Sequence, residues 1–195
     1  MPQFIFAAGN DLGQPTLELV QRGIKTETRR ALKPNQHIGT LALDNGKRVV
    51  AHFSESKKGR GRAMRREGNS YSYTDQYGHK GLGRLHVNKI WQEDVRFISD
   101  KSIAAEGWKS KGHYLGTMVQ LHMPPLARYC LLHNQKWANS RDPQRVAFAF
   151  DELWNDVITL QTWTDKGTFQ SFYDYIHSYD VQRWLVAAYS FKKLS

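Results

Sequence analysis

The C-terminal segment constrains the fold most. Over residues 184–191, Trp184, Val186 and Ala188 alternate with Leu185, Ala187 and Tyr189, so an extended chain here is apolar on both faces. Successive side chains of a strand point to opposite sides, and a strand apolar on both sides belongs inside a covered sheet. The segment therefore predicts a central strand. Its candidate neighbours lie upstream. Residues 3–7 alternate weakly and read as a short first strand. Residues 38–43 and 47–53 flank Asp44-Asn45-Gly46, and Asn-Gly between alternating runs predicts a tight hairpin. Residues 84–91, 93–98 and 117–121 read as further strands.

Helical signals are fewer. Pro15 suits a first helical position and Gly23 a stop, with Leu17 and Val20 on one face, so 15–22 reads as a short helix. Ser99 or Asp100 caps a helix running through Ala105 and stopped by Gly107. Asp142-Pro143 opens a longer helix, in which Val146, Phe150, Leu153, Trp154, Val157 and Ile158 form one apolar stripe. The expected architecture is α+β: one domain over 1–195, with a mostly antiparallel, barrel-like sheet against which helix 143–158 packs.

Two stretches depart from this pattern. Residues 54–83 are rich in glycine and basic residues, carry Tyr71, Tyr73 and Tyr77, and hold few aliphatic anchors. They read as an inserted mobile loop whose cations track phosphate and whose tyrosines stack on bases. The other reading of the stretch is a tyrosine-bearing hairpin packed on its own domain. Residues 109–142 read as a second insertion, loop-rich over 122–142 around Pro124 and Pro125.

Composition narrows the partner class. The 195 residues carry a formal charge of +10, and 40% are hydrophobic, which suits a globular chain and not a disordered one. A strongly basic surface favours a polyanion, because phosphate neutralisation releases counterions. The candidate phosphate contacts are Lys57, Lys58, Arg60, Arg62, Arg65 and Arg66; the alternative is a solvated basic loop. No apolar run is long enough to cross a membrane. Residues 1–8 lack the basic start of a signal peptide, and Cys130 is the only cysteine. Both point to a cytoplasmic chain. His113, His122, Cys130 and His133 lack the second tight ligand pair of a structural zinc site, so no metal is expected, nor any cofactor.

Four motifs occur in order. Gly23-Ile24-Lys25-Thr26-Glu27-Thr28-Arg29-Arg30 follows the first helix. Ala104-Ala105-Glu106-Gly107-Trp108 ends a later one. Phe150, Leu153 and Trp154 mark the long helix, and Arg183 to Phe191 form a tryptophan-led last strand. In this order and spacing the chain resembles the ASCH domain family of the PUA-like superfamily, in particular its phage and bacterial ASCH-like members, from about residue 15 to the C-terminus. The segments 54–83 and 109–142 have no counterpart in that pattern, and Gln182-Arg183-Trp184-Leu185 stands where related phage proteins carry an Asn-Pro-Trp-Val-type element.

The resemblance implies a small β-barrel with flanking helices and a cleft lined by Lys25, Thr26, Thr28, Arg29 and Arg30. It implies RNA or a modified nucleobase, or a nucleotide-like ligand, as partner. In a hydrolase branch acting on acylated cytidine, the catalytic lysine, threonine and glutamate match Lys25, Thr28 and Glu106. The chemistry is coherent on its own terms: a threonine hydroxyl needs a base, a buried lysine beside other cations can become one, and a glutamate can move a proton or hold the lysine. An equally coherent reading has Lys25 on phosphate, Thr28 on backbone and Glu106 paired with an arginine. Three functions are thus carried forward: nucleic-acid or modified-nucleobase binding, hydrolysis of a modified nucleoside or of RNA, and protein interaction through the basic surface.

Overall fold

A computed structural model of the chain describes residues 3–6, 16–56, 61–76, 78–108, 110–123, 145, 148–153 and 181–194. The chain divides into two compact units, one formed by Met1–Gly107 with Leu185–Ser195 and the other by Trp108–Trp184. The class is α+β, with a strongly curled half-barrel sheet.

The first unit holds all eight described strands: β1 (Phe4–Ile5), β2 (Glu27–Ala31), β3 (Gln36–Ala42), β4 (Arg48–Glu55), β5 (Gly61–Arg66), β6 (Ser70–Thr74), β7 (Gly83–Asp94) and β8 (Leu185–Leu194). Five of them form one sheet in the order β1-β6-β7-β8-β2, and β3-β4-β5 form a second. All pairings are antiparallel except that of β1 with β6. As the alternation predicts, β8 lies inside its sheet, between β7 and β2, and Val186 to Tyr189 are fully buried; Arg183 and Trp184, expected to lead this strand, are helical instead, and the strand begins at Leu185. The side chains of Phe4, Phe6, Tyr73, Leu85, Val87, Ile90, Tyr189 and Phe191 make the core. The β3–β4 hairpin turns at Gly46, whose φ of 77° is the left-handed conformation that glycine adopts without strain.

Local chemistry sets the helices α1 (Thr16–Gln21) and α2 (Asp100–Glu106). The Ser99 side chain accepts from the amide of Ser102 at the start of α2, and Gly107 ends the helix at φ 89°. The expected strand over 93–98 is instead the end of β7 followed by a 3-10 turn, Val95–Phe97, where the Asp94 side chain caps the amide of Arg96.

Segment 54–83 is not the open loop expected. It contributes β5 and β6, and Tyr71 and Tyr73 pack into the core instead of facing solvent. Gly83 is one reason: a Cβ there would lie 2.7 Å from the Tyr73 ring, so glycine makes room for it. Lys57, Lys58, Arg60 and Tyr77 lie outside the described residues.

The second unit contains α3 (Lys111–His122), a helical stretch over 148–153 and a short helix, Val181–Trp184. The strand expected over 117–121 is therefore helix. Thr117 donates its hydroxyl proton to the His113 carbonyl at 3.0 Å, and Leu115, Met118 and Val119 are buried. A short apolar run has no period of its own to separate the two structures. Phe150 and Leu153 of the expected long helix are helical and buried; Val146, Trp154, Val157 and Ile158, like Cys130 and His133, lie outside the described residues.

Candidate functional site

The Lys25-to-Arg30 motif is placed by two helix ends. At the C-terminus of α1 the amides of Ile24 and Lys25 both donate to the Leu19 carbonyl, at 2.9 and 3.1 Å, so the chain turns directly into β2. The Thr26 amide then donates to the Ala105 carbonyl of α2 at 2.9 Å, and the Thr26 carbonyl accepts from the Phe191 amide of β8. This stitching brings Lys25 against Glu106, 81 residues further along. The Lys25 ammonium donates to the Glu106 carbonyl at 2.7 Å and also to the Glu106 carboxylate. Both side chains are almost fully buried, at 3% and 4% exposure.

Arg29 completes the cluster. Its Nε pairs with Glu93 of β7, Nη1 with Glu106 at 3.4 Å and Nη2 with Glu27 at 2.9 Å. The guanidinium also lies 5.7 Å from the Trp91 ring centroid. The register explains how these meet: Arg29 of β2 and Trp91 of β7 are both opposite the small Ala188 of the strand between them. Burial lowers the Lys25 pKa; Glu106 acts against that shift, while Arg30 and Arg29 add to it.

Lys25, Arg29 and Glu106 are thus joined, and Glu27, Glu93 and Trp91 belong with them, although sequence reading did not find these last three. Arg29 and Glu27 share one face of β2, so Thr28 and Arg30 share the other. Thr28 is buried opposite Tyr189. Arg30 donates to the Ile5 carbonyl and stands 5.7 Å from the Phe6 ring centroid. Thr26 is exposed. The cluster formally holds two cations against three carboxylates. Its guanidinium fork is taken up by protein carboxylates, which is the geometry of an internal tie and not of a phosphate clamp.

The proposed phosphate contacts separate as well. Arg65 is 9% exposed and structural: Nη2 donates to the Gln3 carbonyl at 2.7 Å, and the guanidinium stands 4.4 Å from the Phe4 ring centroid and 5.6 Å from that of Tyr189. Arg62 is exposed and Arg66 half-buried, and neither has a carboxylate partner among the described residues. Lys47 and Arg48, at the far end of the same sheet, are exposed and equally without one. Among the described residues no group of histidine, cysteine, aspartate and glutamate side chains could hold a metal ion, and no helix is long and apolar enough to cross a membrane.

No family model and no curated protein matches the chain. Among solved structures it is similar to protein EF3133 from Enterococcus faecalis V583, family model DUF984. The identity is 13% and the TM-score 0.42, over 100% of this chain and 80% of that one. A likeness at that level says nothing about function.

Proposed function

We propose that this chain is an ASCH-like, nucleic-acid-binding domain of PUA-like fold, with RNA as its partner, and that it binds through the β3-β4-β5 sheet. The observation that carries this reading is a group of cations on one small sheet that no carboxylate among the described residues neutralises, while several acids elsewhere in the chain are paired. Glu18, Glu27, Glu93, Asp94 and Glu106 are each paired with an arginine or lysine of the chain itself. Lys47, Arg48, Arg62 and Arg66, all within or beside one small sheet, have no such partner among the described residues. The chain carries a net charge of +10, and a basic surface raises the local concentration of a polyanion. The curled sheet and the order of the four motifs support the PUA-like part of the reading.

Exchanging Lys47, Arg48 and Arg62 together for serine is expected to weaken oligonucleotide binding. It should also flatten the dependence of log K on log salt by about 2–3, at roughly 0.7–0.9 per lost phosphate contact. Fluorescence anisotropy over a salt series measures it. An unchanged slope would remove this sheet from the interface, and tight binding to an acidic protein with none to oligonucleotides would favour a protein-interaction domain instead.

A second reading, hydrolysis of an acylated cytidine, is favoured by one specific observation. Burial lowers the pKa of Lys25, and its Nζ touches the Glu106 carboxylate, so a lysine and a carboxylate that can exchange a proton sit together, as acid–base chemistry requires. Thr28, on the face of β2 opposite Arg29, stands apart from that pair. Under this reading the wild-type chain releases cytidine from an N-acylated cytidine and Lys25→Met does not. Absence of release from the wild-type chain, followed by chromatography, ends it.

A further inference from the structure

The two faces of the β3-β4-β5 sheet differ. Ile38 and Val50 pack against the core, so the strand alternation turns His37, Gly39, Ala51 and Phe53 to the other side. There the register sets His37, Phe53 and Ala63 in one row and Gly39, Ala51 and Arg66 in the next. The rings of His37 and Phe53 are stacked, with centroids 5.2 Å apart and planes 12° from parallel. The Phe53 ring also leans over Gly39, where a Cβ would come within 3.3 Å of it. The His37 side chain is 49% exposed, and Phe53 is half-buried. The Glu55 carboxylate lies 3.6 Å from His37 Nδ1.

Flat rings held parallel, one of them half exposed, over Gly39 and the buried Ala51 and beside an arginine without a carboxylate partner among the described residues, present a π-face next to a cation. Such a surface recognises a base that is free to stack; the bases of a duplex are already stacked on one another. We infer that the His37–Phe53 pair is a stacking platform for an unpaired base and that the polyanion bound by this sheet is single-stranded. The inference rests on the nucleic-acid reading above and adds the class of strand. The occupant is argued from charge complementarity: Arg66 stands in the row next to the rings, on the same face. Of the tyrosines that composition suggests for this task, Tyr71 and Tyr73 are instead in the core, so on this sheet the stacking falls to His37 and Phe53.

The test compares a mixed-sequence ten-nucleotide RNA with the blunt duplex of the same sequence, each dye-labelled and titrated with the full chain. The single strand should bind the wild-type chain more tightly than the duplex. His37→Ala with Phe53→Leu should weaken single-strand binding about tenfold or more, leave duplex binding unchanged, and keep the salt slope, because no phosphate contact is lost. Phe53→Tyr should restore most of the loss. His37→Ala alone removes only an exposed ring, so its weakening of single-strand binding is read on a chain whose core is untouched. Equal affinity for strand and duplex, or ring variants that bind the strand like wild type, would overturn the platform while leaving the basic interface standing. Binding of neither RNA would overturn the nucleic-acid reading and the platform with it.

Discussion

Arg29→Ala is expected to destabilise the chain by about 3–5 kcal/mol, the range for stripping one partner from a buried ion pair. The Arg29 side chain is fully buried and pairs with Glu27, Glu93 and Glu106, which come from β2, β7 and α2. Removing it leaves those carboxylates with Lys25 as their only cation in the cluster. Glu106, at 4% exposure, then has little access to water as a substitute. Arg29→Lys should recover less than half of the loss, because an ammonium is a point charge and lacks the planar fork that meets three carboxylates at once. Urea unfolding at neutral pH measures both variants. A loss below about 1 kcal/mol, the scale of an exposed pair, would show that the cluster does not tie α2 to the sheet.

A second large effect is expected from pH. His52 is 2% exposed, and its Nδ1 shares a hydrogen bond with the Tyr189 hydroxyl. Burial lowers its pKa from 6.5 to about 4, with the Arg65 charge and then His37 adding to the shift. The unfolded chain therefore takes up a proton as pH falls through 6.5 while the folded chain resists until about 4. The stabilisation from neutral His52 is complete above pH 6.5 and is lost progressively down to about pH 4. At 1.36 kcal/mol per pKa unit the loss is about 3 kcal/mol. Urea unfolding across this range should show the wild-type chain losing about that much more than His52→Asn, which has nothing to protonate there. Parallel pH profiles for the two chains would mean that the imidazole titrates alike in both states.

These two predictions rest on different kinds of legibility. Arg29 and Glu106 were singled out by the resemblance of short motifs. Glu27, Glu93 and Trp91 were not, because nothing local marks Glu93 or Trp91 as neighbours of Arg29. They meet Arg29 through the pairing of β2 and β7 with β8, which comes from the far end of the chain. Nothing in the hairpin sequence marks His52; only the packing buries it.

Patterns within a few residues, by themselves, determined several elements. The two apolar faces of residues 185–191 required a central strand, Asn45-Gly46 required a turn, and Ser99 with Gly107 bounded α2, since each acts through its own dihedrals, hydrogen bonds or alternation. Tertiary structure alone decided the rest. Residues 117–121 became helix because so short a run carries no decisive period. Tyr71 and Tyr73 moved inward because the core had ring-sized space that aliphatic counting does not register. Arg65 left the candidate phosphate site because aromatic faces and a carbonyl were available to a buried guanidinium. Whether a cation meets phosphate, carboxylate or a ring depends on which strands pair, and strand pairing is a long-range property.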